Sequence, residues 1–189
     1  GVKAEGRFDA VVDAGIVGQP GASVNGPPVF ATITGALEAA LAADGGPYRL
    51  FIREGVYREK LVITRPDVSL VGADRDGTVI SWNDTGSTVG PDGEEMGTWG
   101  SATLIIKAPG FRAENLTIEN SFDYTANAAL PDSDPQKVQR MQAVALMITA
   151  AGDPSARPRF STASRVTAAV TVCPSPSSTL TVDITRPWA

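Results

Sequence analysis

The sequence predicts an all-β chain wound as a parallel β-helix, with one short helix capping its N-terminal end. Three observations carry this. Seven short runs rich in β-branched and aliphatic residues follow one another, at residues 50–52, 61–63, 68–71, 78–81, 102–106, 115–118 and 143–148. Turn residues such as Pro66-Asp67, Gly72, Asp76-Gly77 and Pro109-Gly110 separate them, with no helical segment of useful length between. A single amphipathic helix pattern precedes them all. A sandwich of many short strands is the structural rival that periodicity alone leaves open.

In order along the chain, residues 8–14 read as a short strand, and a Gly/Pro-rich loop follows over 15–28. Phe30, Ile33, Leu37 and Leu41 then recur at helical spacing in an alanine-rich stretch that stops at Gly45-Gly46. Placed before the first coil, this helix covers strand edges that would otherwise be unpaired. The β-branched runs are too short for a meander of long strands, and no Asn-Gly or Asp-Gly joins two of them as a two-residue hairpin apart from Asp76-Gly77. Stacked as coils, they bury a continuous aliphatic interior, with 104–106 and 116–118 on adjacent coils. Two longer connections, 83–100 and 121–141, break the rhythm. In a solenoid such insertions project from the stack and wall a cleft.

Composition removes several function classes. The net charge is −5 and no Lys/Arg-rich run occurs, so the basic footprint of a nucleic-acid-binding protein is missing. The 189 residues contain no histidine, which excludes every Ser-His-Asp arrangement and the commonest metal ligand. The one cysteine, Cys173, allows neither an internal disulfide nor a cysteine-rich metal site, so no cofactor is expected. No apolar run reaches membrane-spanning length, and no signal-peptide pattern opens the chain at Gly1.

Four words of sequence occur in a telling order: Gly55-Val-Tyr-Arg-Glu59 with Lys60; Leu70-Val-Gly-Ala-Asp-Arg-Asp76; Thr98-Trp-Gly-Ser-Ala-Thr103 followed by 110–120; and Gln142-Ala-Val-Ala-Leu146. Together, over residues 8–148, they resemble the N-terminal part of the pectin methylesterase (pectinesterase) family, in its bacterial rather than plant form. The resemblance implies a right-handed parallel β-helix, secretion or export to the periplasm, a monomer, and hydrolysis of galacturonate methyl esters in homogalacturonan. It also implies a mechanism without metal, serine or histidine. One aspartate attacks the ester carbonyl, a second serves as acid and then base, glutamines donate to the oxyanion, and an arginine orients the nucleophile.

Carried over residue by residue, the resemblance puts Gln142 in the oxyanion hole and Thr98 against the substrate. The Q-D-T-L and D-F-I-F-G words that hold the two aspartates are absent from the residues after Gln142. The chain accordingly divides at residue 153. Residues 1–153 are the coils, whereas 154–189 contain no Gly, Asn, Gln, Glu, Lys or Tyr and are built mainly of Pro, Ser, Thr, Ala, Arg and Val. A frameshift in a GC-rich gene, a divergent low-complexity tail and a degenerate coil all give such a segment. In the last case Asp183, within Val-Asp-Ile, becomes a candidate nucleophile; Arg186-Pro-Trp188 comes too early for the family's R-P-W. The expected outcome is a truncated stack with open strand edges, prone to self-association and inactive as an esterase.

Other residues have mainly structural readings. Tyr57 and Glu59 fix the first coil to its neighbour, and Asn115 and Asn120 satisfy backbone groups at coil corners. Trp82 and Trp99 can stack on sugar rings or cover the core edge. Asp74-Arg-Asp76-Gly77 is a turn, since Thr85 stands where a calcium loop needs its bidentate acid. Asn83 and Asn115 match the glycosylation pattern. A non-catalytic polysaccharide-binding remnant and a thioesterase-like hydrolase on the same scaffold are the functional alternatives. A pectate lyase is disfavoured for want of an acidic calcium cluster.

Overall fold

The computed structural model describes residue 5, residues 7–149, and the strand segments 159–160, 165–170 and 178–183. Its strands alternate among three sheets. In chain order, β3 (Tyr48–Ile52), β4 (Gly55–Arg58) and β5 (Leu61–Ile63) go one to each sheet. The next round is β6 (Val68–Gly72), β7 (Thr78–Trp82) and β8 (Leu104–Ile106); the one after is β9 (Arg112–Glu114), β10 (Thr117–Asn120) and β11 (Leu146–Ile148). Each strand pairs in parallel with its counterpart one round earlier. That topology is a parallel β-helix. The first sheet begins with β1 (Ala10–Val12) and β2 (Val29–Phe30), which pair ahead of β3.

Because register is in step, like side chains stack on like. Leu61, Leu104 and Leu146 align, as do Leu50, Leu70 and Ala113, and Tyr57, Ile80 and Ile118. Of these, all but Leu146 are fully or almost fully buried. Period-two alternation puts Val62 outside between buried Leu61 and Ile63, and Val56 outside beside buried Tyr57. At the corner after β6, Gly72 is required by a close approach: a Cβ there would lie 2.2 Å from the carbonyl oxygen of Asn115. Asn115 takes the left-handed turn (φ 55°) and donates its side-chain amide to Gly72 O at 3.1 Å, as expected of a corner asparagine. Asp74 accepts from the amides of Asp76 and Gly77, so this segment is a turn.

The capping helix, α1 (Ile33–Ala42), buries Ile33, Ala36 and Ala40 against the first strands. Both its ends are held by the first coil. At the N-terminus the Glu59 carboxylate accepts from Ile33 N (2.9 Å), Thr34 N (2.8 Å) and Thr34 Oγ1 (2.6 Å), while Thr32 Oγ1 accepts from Gly35 N. At the C-terminus the Arg65 guanidinium donates to the carbonyls of Ala40, Ala43, Asp44 and Gly46. An anion at the N-terminus and a cation at the C-terminus both complement the helix dipole. Tyr57 donates to Arg53 O at 2.8 Å. The G-x-Y-x-E word therefore fastens the cap to the first coil.

The structure differs from the sequence expectation in several places. Phe30 belongs to β2, because its backbone pairs with β1; the helix starts only after the Thr32 cap. Strands β4 and β9 are additional; each has only one buried side chain, Tyr57 or Ala113, so neither forms an apolar run. The run at 115–118 is displaced to Thr117–Asn120 by the left-handed turn at Asn115. The two long connections each contain a short helix, α2 (Gly97–Gly100) and α3 (Tyr124–Ala129). Beyond residue 153, β12 (Arg159–Phe160) and β13 (Arg165–Val170) continue two of the parallel ladders. The last strand, β14 (Ser178–Asp183), pairs with β13 antiparallel, so it is a reversal rather than a further parallel coil.

Two outcomes test this account. Glu59→Ala leaves two helix N–H groups without their acceptor and is expected to lower stability by about 1–3 kcal/mol in urea unfolding. The second concerns Asp13, whose carboxylate is held below its usual range, chiefly by a hydrogen bond from Arg53 at 2.8 Å. A depressed native value means that Asp13 contributes stability above its unfolded value near pH 4, lost as pH falls through the native value. Asp13→Asn should therefore flatten the acid limb of melting temperature against pH.

Candidate active site

The two long connections run side by side, each from the sheet of β4, β7 and β10 into the sheet of β5, β8 and β11. The first is folded by a Thr85–Thr88 turn and an antiparallel bridge between Val89 and Glu95, and it closes with α2. In the second, Asp123 caps α3, and the Asn127 side chain bonds the backbone of Val138 in both directions (3.0 and 2.7 Å). The connections are joined by Arg140 N donating to Ser87 Oγ (2.9 Å) and by the Arg140–Glu95 ion pair (3.0 Å).

Gln142 lies just before β11, where the second connection returns to the stack. Its carbonyl accepts from Gly86 N at 2.9 Å, and Gly86 O accepts from Gly97 N at 3.0 Å. The side-chain oxygen of Gln142 is buried without a hydrogen-bond partner. Gly86 leaves room for it, as a Cβ there would stand 3.2 Å away. Thr98 lies half-buried in α2. One serine links it to the Gln142 segment: Ser101 Oγ donates to Thr98 O (2.5 Å) and accepts from Val144 N (3.1 Å). The structure thus brings Gln142 and Thr98 into one hydrogen-bonded network. Trp99, beside Thr98, is 66% exposed, while Trp82 on β7 is partly covered.

Beneath these residues is a polar floor that the sequence reading missed in part. Lys60 donates to the Asp84 carboxylate (2.8 Å) and to Gly100 O (2.6 Å). Asp84 is therefore neutralised where it is almost buried, rather than left free to attack. Asn120 donates to the carbonyls of Asp84 (2.9 Å), Ser101 (3.3 Å) and Val144 (3.1 Å) and accepts from Phe122 N (3.0 Å). The sequence signals were the place of Lys60 directly after the G-x-Y-x-E word and of Ser101 within Thr98-Trp-Gly-Ser-Ala-Thr103; Asp84 carried none, because its partners are distant in the chain.

Among the described residues, no carboxylate is hydrogen-bonded to Gln142. Asp183 falls on β14, across from Arg165 in the antiparallel ladder, and only its backbone is described. Cys173 and Arg186-Pro-Trp188 lie outside the described residues. Among the described residues, no group of three or more His, Cys, Asp or Glu could hold a metal, and no helix is long and apolar enough to cross a membrane. Asn115 spends its amide on Gly72 O, whereas Asn83 is exposed.

Comparison with known proteins supplies the context. The family model for pectinesterase matches residues 22–162. Pectinesterase A of Dickeya dadantii is 44% identical over 124 residues, covering 66% of this chain and 34% of that protein. Among solved structures, the pectin methylesterase PemA from Erwinia chrysanthemi superposes with a TM-score of 0.69 at 40% identity, covering 84% of this chain and 43% of that one. A pectin methylesterase in complex with a hexasaccharide gives 0.68 at 40% identity, over 82% and 42% of the two chains. The chain thus spans about a third of the length of the curated bacterial relatives it matches.

Removing the cation of the floor tests its construction. Lys60→Met strands the Asp84 carboxylate and is expected to cost about 2–4 kcal/mol in chemical denaturation. The double variant Lys60→Met/Asp84→Leu should recover part of that loss.

Proposed function

Because the chain belongs to the pectinesterase family, we propose that it builds the first part of the substrate cleft of a carbohydrate esterase. The reaction is hydrolysis of the methyl esters of galacturonate units in pectin, giving pectate and methanol. Gln142 donates to the oxyanion and Thr98 contacts the substrate. The substrate is a plant cell-wall polymer, so the protein acts outside the cytoplasm, after secretion or in the periplasm.

The observation that carries this reading is the state of the Gln142 side chain. A glutamine serving only as a rung of the stack would spend its amide on the coils above and below. Here the amide oxygen is buried and unpartnered, an arrangement that costs about 1–3 kcal/mol and recurs at functional sites. Meanwhile the backbone is pinned by Gly86. With the oxygen turned into the protein, the NH2 of the same amide, which makes none of the described hydrogen bonds, is left to donate; a fixed donor is what the tetrahedral intermediate of ester hydrolysis needs, since negative charge develops on the former carbonyl oxygen.

The attacking and protonating aspartates are not supplied by residues 154–189, which carry neither of the words that hold them. The same reading divides the chain by composition at residue 153, while the family match runs to residue 162 and β12 and β13 still pair in parallel with the preceding coil. The 189-residue chain therefore binds methyl-esterified galacturonan without turning it over. The exposed ring of Trp99 beside Thr98 supports such binding, because a sugar ring can stack on it.

A methanol-release assay on methylated pectin, run beside calorimetric titration with methyl-esterified oligogalacturonate, tests this. No methanol above background is expected, with binding that weakens at least fivefold on Gln142→Ala. Turnover abolished by Gln142→Ala would overturn the inactivity. Absence of binding would overturn the cleft assignment, and hydrolysis of acyl thioesters in preference to pectin would transfer the site to a thioesterase.

A further inference from the structure

We infer that Asn120 is the positioning residue of the cleft, the side chain that fixes Gln142 relative to both of its walls. The inference rests on the cleft assignment above and adds the residue that sets its shape. Asn120 is 6% exposed at the end of β10. Its amide reaches Asp84 O, where the first connection opens; Ser101 O, where that connection closes; and Val144 O, two residues after Gln142. Its side-chain oxygen accepts from Phe122 N, where the second connection opens. One side chain therefore ties the roots of both walls to the segment that carries the oxyanion donor.

Asparagine suits this position chemically. It offers two N–H groups, one of them shared between two of the three carbonyls, and an acceptor on a short, stiff stem. Aspartate would direct a buried charge at three carbonyl oxygens, and leucine would leave carbonyls without a donor. Two further contacts act in parallel: Lys60 holds Asp84 and Gly100, and Ser101 Oγ joins Val144 N to Thr98 O. Both fix residues that Asn120 or its partners already touch. Asn115 is the contrasting case, a corner asparagine whose one side-chain bond, to Gly72 O, lies away from these segments.

The test compares Asn120→Ala with Asn115→Ala in the 189-residue chain, with folding verified by circular dichroism. Both should lower the melting temperature. Only Asn120→Ala should weaken binding of methyl-esterified oligogalacturonate, by tenfold or more, and shift the tryptophan emission of the Trp99 wall. Equal losses of affinity in both variants, or unchanged affinity in a folded Asn120→Ala, would overturn the inference. Should Asn120→Ala fail to fold, hydrogen exchange of the unsubstituted chain decides. The amides of Gly86, Phe122 and Val144 are expected to open together at one rate; clearly separate rates would overturn it. If the unsubstituted chain binds no ester, the cleft assignment falls, and the exchange result still judges the clamp.

Discussion

The first coil is closed by two charged side chains, and the rest of the stack builds on that closure. Glu59 and Arg65 flank β5 and grip opposite ends of α1, one at the free N–H groups and one at the free carbonyls. Without them, the helix would lie on the open end of the solenoid by apolar contact alone. With them, its axis is fixed relative to β5, and the buried faces of Ile33, Ala36 and Ala40 meet the first interior layer in one orientation. A helix of this length is marginal by itself, so its stability comes from what holds it.

Once the first layer is set, each later strand copies it. Parallel pairing in register places leucine over leucine along the interior, and every coil buries the apolar face of the one before. The outward residues are under no such constraint, which is why the two connections can leave the stack and return to it in register. Several buried polar groups gather where the chain leaves, the Lys60–Asp84 pair, Ser101 and Asn120 among them, while Thr78, Ser81 and Thr117 are buried on the strands themselves.

Much of the fold was legible because each strand's apolar residues are local. The runs at 61–63 and 78–81 needed only their β-branched and aliphatic residues between turn residues, and the helix needed only its spacing and a glycine stop. Strands β4 and β9 escaped because an alternating strand with one buried residue does not look apolar. Phe30 was assigned to the helix because its spacing fits; its strand pairing is a fact about β1, not about its neighbours in sequence. For the site, Gln142 and Thr98 could be named from family words, and Asn115 and Asn120 from corner chemistry. The Asp84 pairing and the role of Ser101 were invisible, since each depends on a partner some 24 to 43 residues away.

The manner in which the long connections are rooted has a consequence for how such a cleft can vary. Closing a longer loop costs little, because the entropy grows only with the logarithm of its length, about 0.6 kcal/mol per doubling. The coil containing residues 83–103 is already about twice as long as the one before it, yet Leu104 returns to stand over Leu61. With both exits pinned at one asparagine, the material between them can be lengthened, shortened or recomposed without shifting the ladders. Selection can therefore reshape the groove independently of the architecture that carries it, and substrate preference and folding become separable traits.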